Sequence, residues 1–177
     1  MSAANERTGD RKRAWGPIGS SVFAEYFGNR TRRVSVIPAM DVNGYFVWEV
    51  LEGGLTKGYF EWFMEHRVLP LCNPYPAPRS IILMDNASAH WSHQVAALCD
   101  QAGVRLVTLP PYSPDFNPIE QTFRVLKSWL RRHNTTMDTF RSLVEYLNYA
   151  VLQSCVDTDC SGMYRRCSYG TRVGMLG

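Results

Sequence analysis

Apolar and polar residues in the first half of the chain alternate in a way that predicts a β-hairpin. Residues 34–40 are mostly apolar and partly β-branched, and residues 45–51 alternate with a period of two. The two runs flank Asn43 and Gly44, a dipeptide that is typical of tight hairpin turns. We therefore predict two antiparallel strands that are joined by a short turn.

The middle of the chain predicts helices and strands in alternation. Thr56 can cap a helix over residues 57–68, which has aromatic residues on one face. Residues 80–84 are a continuous apolar run, as expected of a strand that is buried on both faces. A helix over 92–102 and a strand over 104–109 follow. A strand, a helix and a second strand in this order predict two parallel strands with a crossover connection.

The last third of the chain is predicted to be helical at first and irregular at its end. A proline-rich segment precedes two predicted helices, over residues 118–132 and 137–153. The last 20 or so residues show no clear period. We expect one domain, because 177 residues suit a single core, and an irregular tail over residues 156–177.

Composition is that of an ordinary globular domain, but the basic residues are unevenly distributed. The chain has 177 residues, of which 45% are apolar and 20% charged, and its net charge is +3. Basic residues crowd the first 33 positions and then recur along one later segment. That later group comprises Arg124, Lys127, Arg131 and Arg132. Basic stripes suit a phosphate backbone, although a solvated surface explains the same pattern.

Cysteine usage and the absence of long apolar runs indicate an intracellular protein. The five cysteines form no Cys-x-x-Cys pair, and their odd number favours reduced thiols. No apolar run approaches the roughly 18–20 residues of a membrane span. The polar N-terminus lacks the apolar segment of a signal peptide, so we expect neither secretion nor a membrane partner.

Two carboxylates occupy positions from which they could act together. Asp85 follows the predicted strand 80–84, and ligands of open α/β sheets bind at the carboxyl ends of strands. The alternatives are that Asp85 caps the next helix, or that Asn86-Ala87-Ser88 is a plain Asx turn. Glu120 falls in the first turn of a helix, where Asn117, Pro118 and Glu120 also form a capping-box arrangement that needs no catalysis.

The spacing of these carboxylates favours a shared metal site. Between Asp85 and Glu120 lie 34 residues (120 − 85 − 1). This length holds one helix, one strand and a proline-rich loop that returns the chain to the same sheet edge. Divalent cations such as Mg²⁺ prefer carboxylate oxygens together with phosphate oxygens of a substrate.

The residues around both carboxylates form motifs that resemble those of a known family. The first motif is Asp85-Asn86-Ala87-Ser88-Ala89-His90, and the second runs from Leu109-Pro110-Pro111-Tyr112 to Asn117-Pro118-Ile119-Glu120. Together they resemble the mariner-type cut-and-paste transposases and their bacterial insertion-sequence relatives. The resemblance covers roughly residues 1–155. It implies an α/β fold of the ribonuclease H-like class, with a mixed five-stranded sheet flanked by helices.

The resemblance also implies a chemistry, partners and a location. Asp85 and Glu120 correspond to the second aspartate and the glutamate of an Asp-Asp-Glu endonuclease, which holds two Mg²⁺ or Mn²⁺ ions and cuts and joins DNA. DNA is the expected partner, with a homodimer or a full-length transposase as protein partner. The expected location is the nucleus in a eukaryote and the cytoplasm otherwise. Supporting residues are Asn86, His90 and Asn117, and the expected DNA contacts are Arg124, Lys127 and Arg131.

The chain departs from this family at its front. Family members carry an apolar strand that ends in the first aspartate, just before the region that resembles residues 2–19. Here Met1 precedes Ser2 directly, so we expect this central strand to be missing and the chain to be inactive. Asp10 and Asp41 are poor replacements, since neither ends a buried strand. The alternatives are a non-catalytic remnant that binds DNA or a transposase, and a chain that folds poorly around an open sheet edge.

Overall fold

An antiparallel sheet of three strands forms one half of the molecule. The structure is a computed structural model that describes residues 2–4, 33–85, 92–111 and 113–170, with residues 2–4 as backbone alone. The strands are β1 (Ser2–Ala4), β2 (Val34–Asp41) and β3 (Gly44–Glu52), in the order β1-β2-β3. The β2–β3 pair is the hairpin that the alternating pattern predicts, so that prediction is confirmed.

A second sheet consists of two parallel strands, β4 (Ile81–Met84) and β5 (Arg105–Thr108). Helix α2 (His93–Gln101) connects them, as predicted from the order of apolar segments. The Ser92 hydroxyl accepts a hydrogen bond from the Val95 N–H at 3.0 Å and so begins this helix.

Helices surround both sheets. The helices are α1 (Lys57–Phe63), α3 (Ile119–Arg132), α4 (Leu143–Ser154) and α5 (Ser161–Arg166). Helix α1 continues as a wider turn over Met64–Val68 and a tighter one over Leu69–Leu71. None of the helices in the described ranges is both long and apolar enough to cross a bilayer.

Helix α4 begins later than the sequence predicts. We predicted a helix over residues 137–153, but Asn134–Thr139 forms a 3₁₀ turn and α4 starts at Leu143. The reason is a cap: the Ser142 hydroxyl accepts the Glu145 N–H at 3.1 Å. The sequence pattern therefore identified the helix, but the prediction of its start was wrong.

Residues 156–170 differ from the irregular tail that we predicted. They contain α5, and the Cys160 N–H donates to the Val42 carbonyl at 2.7 Å. Cys160 and Cys167 are buried, so this segment contributes to the core. This segment has no visible period, because single residues of it contact the β2–β3 turn. The domain boundary at residue 155 stays a prediction.

Two apolar clusters pack on opposite faces of the β2–β3 hairpin. One cluster joins Ile37 to α1, α2 and Met84. The other joins Val34 and Val36 to α3 and α4. Neighbouring positions of β2 therefore face different helices, as the period of two requires. The hairpin is the central layer between two helical layers.

The two sheets are not joined by hydrogen bonds between strands in the part of the chain that the structure describes. Strand β1 pairs with β2 only at Val34–Val36. At the far end of β2, the Arg79 side chain forms an ion pair with Asp41 at 2.8 Å. Because Arg79 lies two residues before β4, the start of β4 lies beside the end of β2, and the two strands run in opposite directions. Strand β1 has three residues in the described part of the chain, and the absence of the central strand stays a prediction.

Candidate active site

Asp85 lies at the carboxyl end of β4, on the wall of a cavity between the two sheets. The cavity has a volume of about 610 Å³, and Asp85 is half-buried there. We had considered Asp85 as the cap of the next helix. That alternative is wrong, because Ser92 caps α2. We therefore keep the interpretation that Asp85, at the carboxyl end of a strand, belongs to a ligand-binding site.

Glu120 lies in the first turn of α3 and is also half-buried. The predicted capping box is wrong, because no side chain caps α3 and the cap residue is Pro118. Asn117 instead ends the preceding 3₁₀ turn, where its N–H donates to the Pro114 carbonyl at 3.0 Å. The Asn117 carbonyl accepts the Glu120 N–H at 3.2 Å. A capping box therefore does not explain why a glutamate occupies position 120.

The segments that carry Asp85 and Glu120 meet at the same cavity. Asp85, Asn117 and Ile119 all contribute to its wall, and Glu120 is the next residue along α3. The end of the second sheet is fixed by the Leu109 N–H, which donates to the Met84 carbonyl at 2.8 Å. The carboxyl end of β4 and the N-terminus of α3 therefore border one space.

A buried hydrogen bond fixes the first turn of α3 against the hairpin. The Thr122 hydroxyl donates to the Ile119 carbonyl at 2.7 Å and lies 2.7 Å from the Tyr45 hydroxyl. Burial raises the pKa of Tyr45 well above its usual value, so this hydroxyl stays protonated. The Tyr45 N–H donates to the Cys155 carbonyl at 2.8 Å. These contacts join β3, α3 and the end of α4 directly behind Glu120.

The C-terminal segment supports the same turn from outside. The Tyr169 hydroxyl donates to the Phe116 carbonyl at 2.9 Å, and the Gln121 amide donates to the Met163 carbonyl at 3.3 Å. Sequence reasoning missed Thr122, Tyr45 and Tyr169. Tyr45 and Thr122 are 77 residues apart in the sequence, and Tyr169 and Phe116 are 53 apart. Periodic patterns in the sequence do not indicate contacts over such separations.

The donor chemistry fits a hard divalent cation. Carboxylate oxygens of Asp85 and Glu120 are the ligand type that Mg²⁺ and Mn²⁺ prefer, and the half-buried Asn117 can add an amide oxygen. Within the described residues, no group of three or more His, Cys, Asp or Glu side chains could hold a metal. Asp85 and Asp41 line the cavity, Asp41 is paired with Arg79, and Glu120 follows the lining residue Ile119.

The remaining predicted residues fall into two groups. Asn86 and His90 lie outside the described residues. Arg124 and Arg131 are exposed on α3 and Lys127 is half-buried, whereas the other side of the helix packs into the core. The spacing of three and four residues places these three cations on one face, which we call the basic face of α3.

Comparisons with known proteins agree with this architecture. The profile of the DDE superfamily endonucleases matches residues 1–144. The chain is similar to the protein in the Mos1 strand transfer complex, with 18% identity and a TM-score of 0.60 over 90% of this chain and 46% of that chain. It is similar to the Mos1 mariner paired-end complex with Mn, with 15% identity and a TM-score of 0.60 over 94% of this chain and 49% of that chain.

A third similar structure is the Mos1 transposase paired-end complex with the left transposon end. Its identity is 16% and its TM-score 0.57, over 90% of this chain and 47% of that chain. The chain therefore spans about half the length of these solved chains. None of the curated proteins matches the sequence. The structural likeness confirms the ribonuclease H-like α/β fold that the sequence predicts.

Proposed function

From the premise that the chain belongs to the DDE superfamily endonucleases, we propose that it is a transposase catalytic domain. The observation that carries this proposal is the meeting of Asp85 and the N-terminus of α3 at one cavity. The solved structures with the same fold include a strand transfer complex and a transposase paired-end complex with a left transposon end, which supports DNA as the substrate. The reaction class is cleavage of a phosphodiester bond followed by transfer of the strand.

Asp85 and Glu120 have the role of metal ligands in this proposal. When bound, Mg²⁺ or Mn²⁺ supplies activation of the attacking oxygen and stabilisation of the leaving oxygen. The chain's own residues fix the donor atoms: β4 ends at Asp85, and the hydrogen bonds behind Thr122 hold the first turn of α3. The presence of Mn in one paired-end complex of the same fold supports this choice of metal.

We further propose that the 177-residue chain cleaves DNA poorly by itself. Two carboxylates cannot place two ions as three do, and no group of three or more His, Cys, Asp or Glu side chains in the described ranges could hold a metal. The test is nicking of supercoiled plasmid DNA with Mg²⁺ or Mn²⁺. We expect no nicking above background. Metal-dependent nicking that Asp85→Ala abolishes would overturn the proposal of inactivity and support the catalytic role of Asp85.

The metal ligands can be tested without catalysis. Mn²⁺ binding is measured by the loss of the free-ion electron paramagnetic resonance signal on titration with protein. We expect Asp85→Asn and Glu120→Gln each to weaken binding. Asp138→Asn is the matched control, since Asp138 is exposed on a 3₁₀ turn and the substitution removes the same charge. Equal binding by all four proteins would contradict the assignment.

The basic face of α3 supports a second candidate function, binding of DNA without cleavage. Arg124, Lys127 and Arg131 point away from the buried side of α3 and suit a phosphate backbone. Such binding weakens steeply with salt. DNA affinity that is unchanged between low and moderate salt would contradict it. A homodimer or a second transposase molecule remains the proposed protein partner, as paired-end complexes of the same fold suggest.

We place this activity inside the cell, in the nucleus of a eukaryote or in the cytoplasm of a bacterium. All five cysteines are free, which suits a reducing compartment. Fractionation of the source cells tests this location, and recovery of the protein outside the cell would contradict it.

A further inference from the structure

Helix α5 lies beside the first turn of α3 and carries two exposed arginines, Arg165 and Arg166. The Arg166 guanidinium donates a hydrogen bond to the Gln121 side-chain carbonyl at 3.4 Å. The Gln121 amide in turn donates to the Met163 carbonyl at 3.3 Å. Gln121 directly follows Glu120, so these contacts hold a cation of α5 beside the residue that we propose as a metal ligand.

Buried groups determine where α5 lies. Cys160 and Cys167 flank this helix and are 1% and 2% exposed. Between them, the Tyr164 hydroxyl donates to the Met40 carbonyl at 3.2 Å. A helix of six residues is not stable by itself in water, so its contacts with the core fix its position. The same contacts place Arg166 next to α3.

Arg166 widens the basic face of α3 at the end that begins with Glu120. Glu120 precedes Arg124 by four residues and Gln121 precedes it by three, so both are neighbours of Arg124 on the helix surface. Arg166 is bound at Gln121 and therefore adds a cation to this end from a different helix. Positive charge thus extends from the candidate metal ligand over both α3 and α5.

The two arginines of α5 have different surroundings. Hydrogen bonds from Ser161 lower the pKa of Asp159, and the positive charge of Arg165 adds to this effect. Arg165 therefore lies near a carboxylate of its own segment, whereas Arg166 contacts the neutral amide of Gln121. An amide does not neutralise a guanidinium, whose planar set of N–H donors matches two oxygens of a phosphate.

We propose that Arg166 binds a backbone phosphate of DNA beside the candidate metal site and that Gln121 positions its guanidinium. This inference rests on the proposed function, because it takes DNA as the partner, but it does not require that the chain cleaves the DNA. The family profile ends at residue 144, so α5 lies outside the matched part of the chain. Helix α5 is thus a DNA-binding element that the family match does not include.

The test compares the DNA affinity of the full 177-residue chain and its variants over a range of salt concentrations. Binding to a fluorescent DNA duplex is measured by anisotropy in the absence of divalent metal. We expect Arg166→Gln to lower the slope of log affinity against log salt by about 0.9, the value for one phosphate contact. The ratio of wild-type to variant affinity should then grow about eightfold for each tenfold decrease in salt. Arg166→Lys keeps the charge and should keep the wild-type slope.

Arg67→Gln is the matched control for the loss of one positive charge. Arg67 is exposed on the extension of α1, which packs on the other face of the β2–β3 hairpin from α3. This variant should leave the slope unchanged. An equal decrease of the slope in Arg67→Gln and Arg166→Gln would overturn the proposal, since the effect would then be one of net charge.

The positioning role of Gln121 has its own test. Gln121→Met keeps the length of the side chain but removes its hydrogen bonds to Arg166 and Met163. It should weaken DNA binding in the wild-type protein and add no further loss in the Arg166→Gln protein. The same loss in both proteins would contradict positioning through Arg166.

The outcomes separate this inference from the function on which it rests. If the wild-type chain binds DNA and Arg166→Gln has the same salt slope, the phosphate contact of Arg166 is excluded, whereas DNA remains the partner. If the wild-type chain does not bind DNA at any salt concentration, the proposed partner and the role of Arg166 both fail.

Discussion

Replacing Thr122 by valine tests whether the buried hydrogen bond behind Glu120 fixes the start of α3. Thr122 is 2% exposed, and its hydroxyl lies 2.7 Å from the Tyr45 hydroxyl. Valine keeps the shape but leaves the buried Tyr45 hydroxyl without this partner. Such a loss costs about 1–3 kcal/mol of unfolding free energy. For a domain of this size, that lowers the melting temperature by roughly 2–12 °C.

The matching variant Tyr45→Phe should cost less. Thr122 would keep its hydrogen bond to the Ile119 carbonyl at 2.7 Å, so the expected loss is about 0.5–1.5 kcal/mol. The double variant replaces both hydroxyl groups by apolar groups, so we expect it to be more stable than the sum of the single losses by about 1 kcal/mol. Urea unfolding followed by circular dichroism measures all four proteins. Strict additivity, or a Thr122→Val protein as stable as the wild type, would refute the reasoning.

Three further predictions follow from other parts of the structure. Gly44→Ala should destabilise the protein by roughly 1–3 kcal/mol or more, because Gly44 has φ +105° and an added Cβ would lie 2.5 Å from a backbone carbonyl oxygen. Gly54 lies in open space, so Gly54→Ala is the neutral control in the same urea assay. Burial raises the pKa of the Cys99 and Cys160 thiols from 9.0 to about 11. The stabilisation that the neutral thiols give the folded protein is therefore complete below pH 9 and should be lost as the pH rises towards 11. A melting temperature that does not change between pH 9 and pH 11 would contradict this. Arg124→Ala should lower the slope of log DNA affinity against log salt by about 0.9 if Arg124 contacts one phosphate, and an unchanged slope would exclude that contact.

The sequence predicted those parts of the fold that depend on local periods. The β2–β3 hairpin follows from alternation and an Asn-Gly turn, and the parallel β4–β5 pair follows from the order of apolar segments. The start of α4 was misplaced because Ser142 competes as a cap with residues further upstream. The fold of residues 156–170 could not be predicted, because Cys160 and Tyr164 bind single backbone groups of the β2–β3 turn over large sequence separations.

The candidate site was predictable as a pair of carboxylates but not as a three-dimensional arrangement. The motifs pointed to Asp85 and Glu120, and the structure removes the capping alternatives for both, since Ser92 caps α2 and no side chain caps α3. The sequence did not show the Thr122–Tyr45 hydrogen bond. This hydrogen bond depends on the way in which separate segments pack, and it leaves no local pattern.

The most direct test of the metal site is a map of Mn²⁺-induced line broadening in the ¹⁵N-labelled chain. Mn²⁺ that is held by Asp85 and Glu120 should broaden first the amide signals of the segments that meet at the cavity, Met84 and Ile119 among them. The amide of Leu147, in the core of α4, should broaden only at higher Mn²⁺ concentration. Asp85→Asn should remove the selective broadening, and Asp138→Asn should preserve it. Selective broadening at any other part of the chain, or the same map in the Asp85→Asn protein, would contradict the assignment of Asp85 and Glu120 as metal ligands.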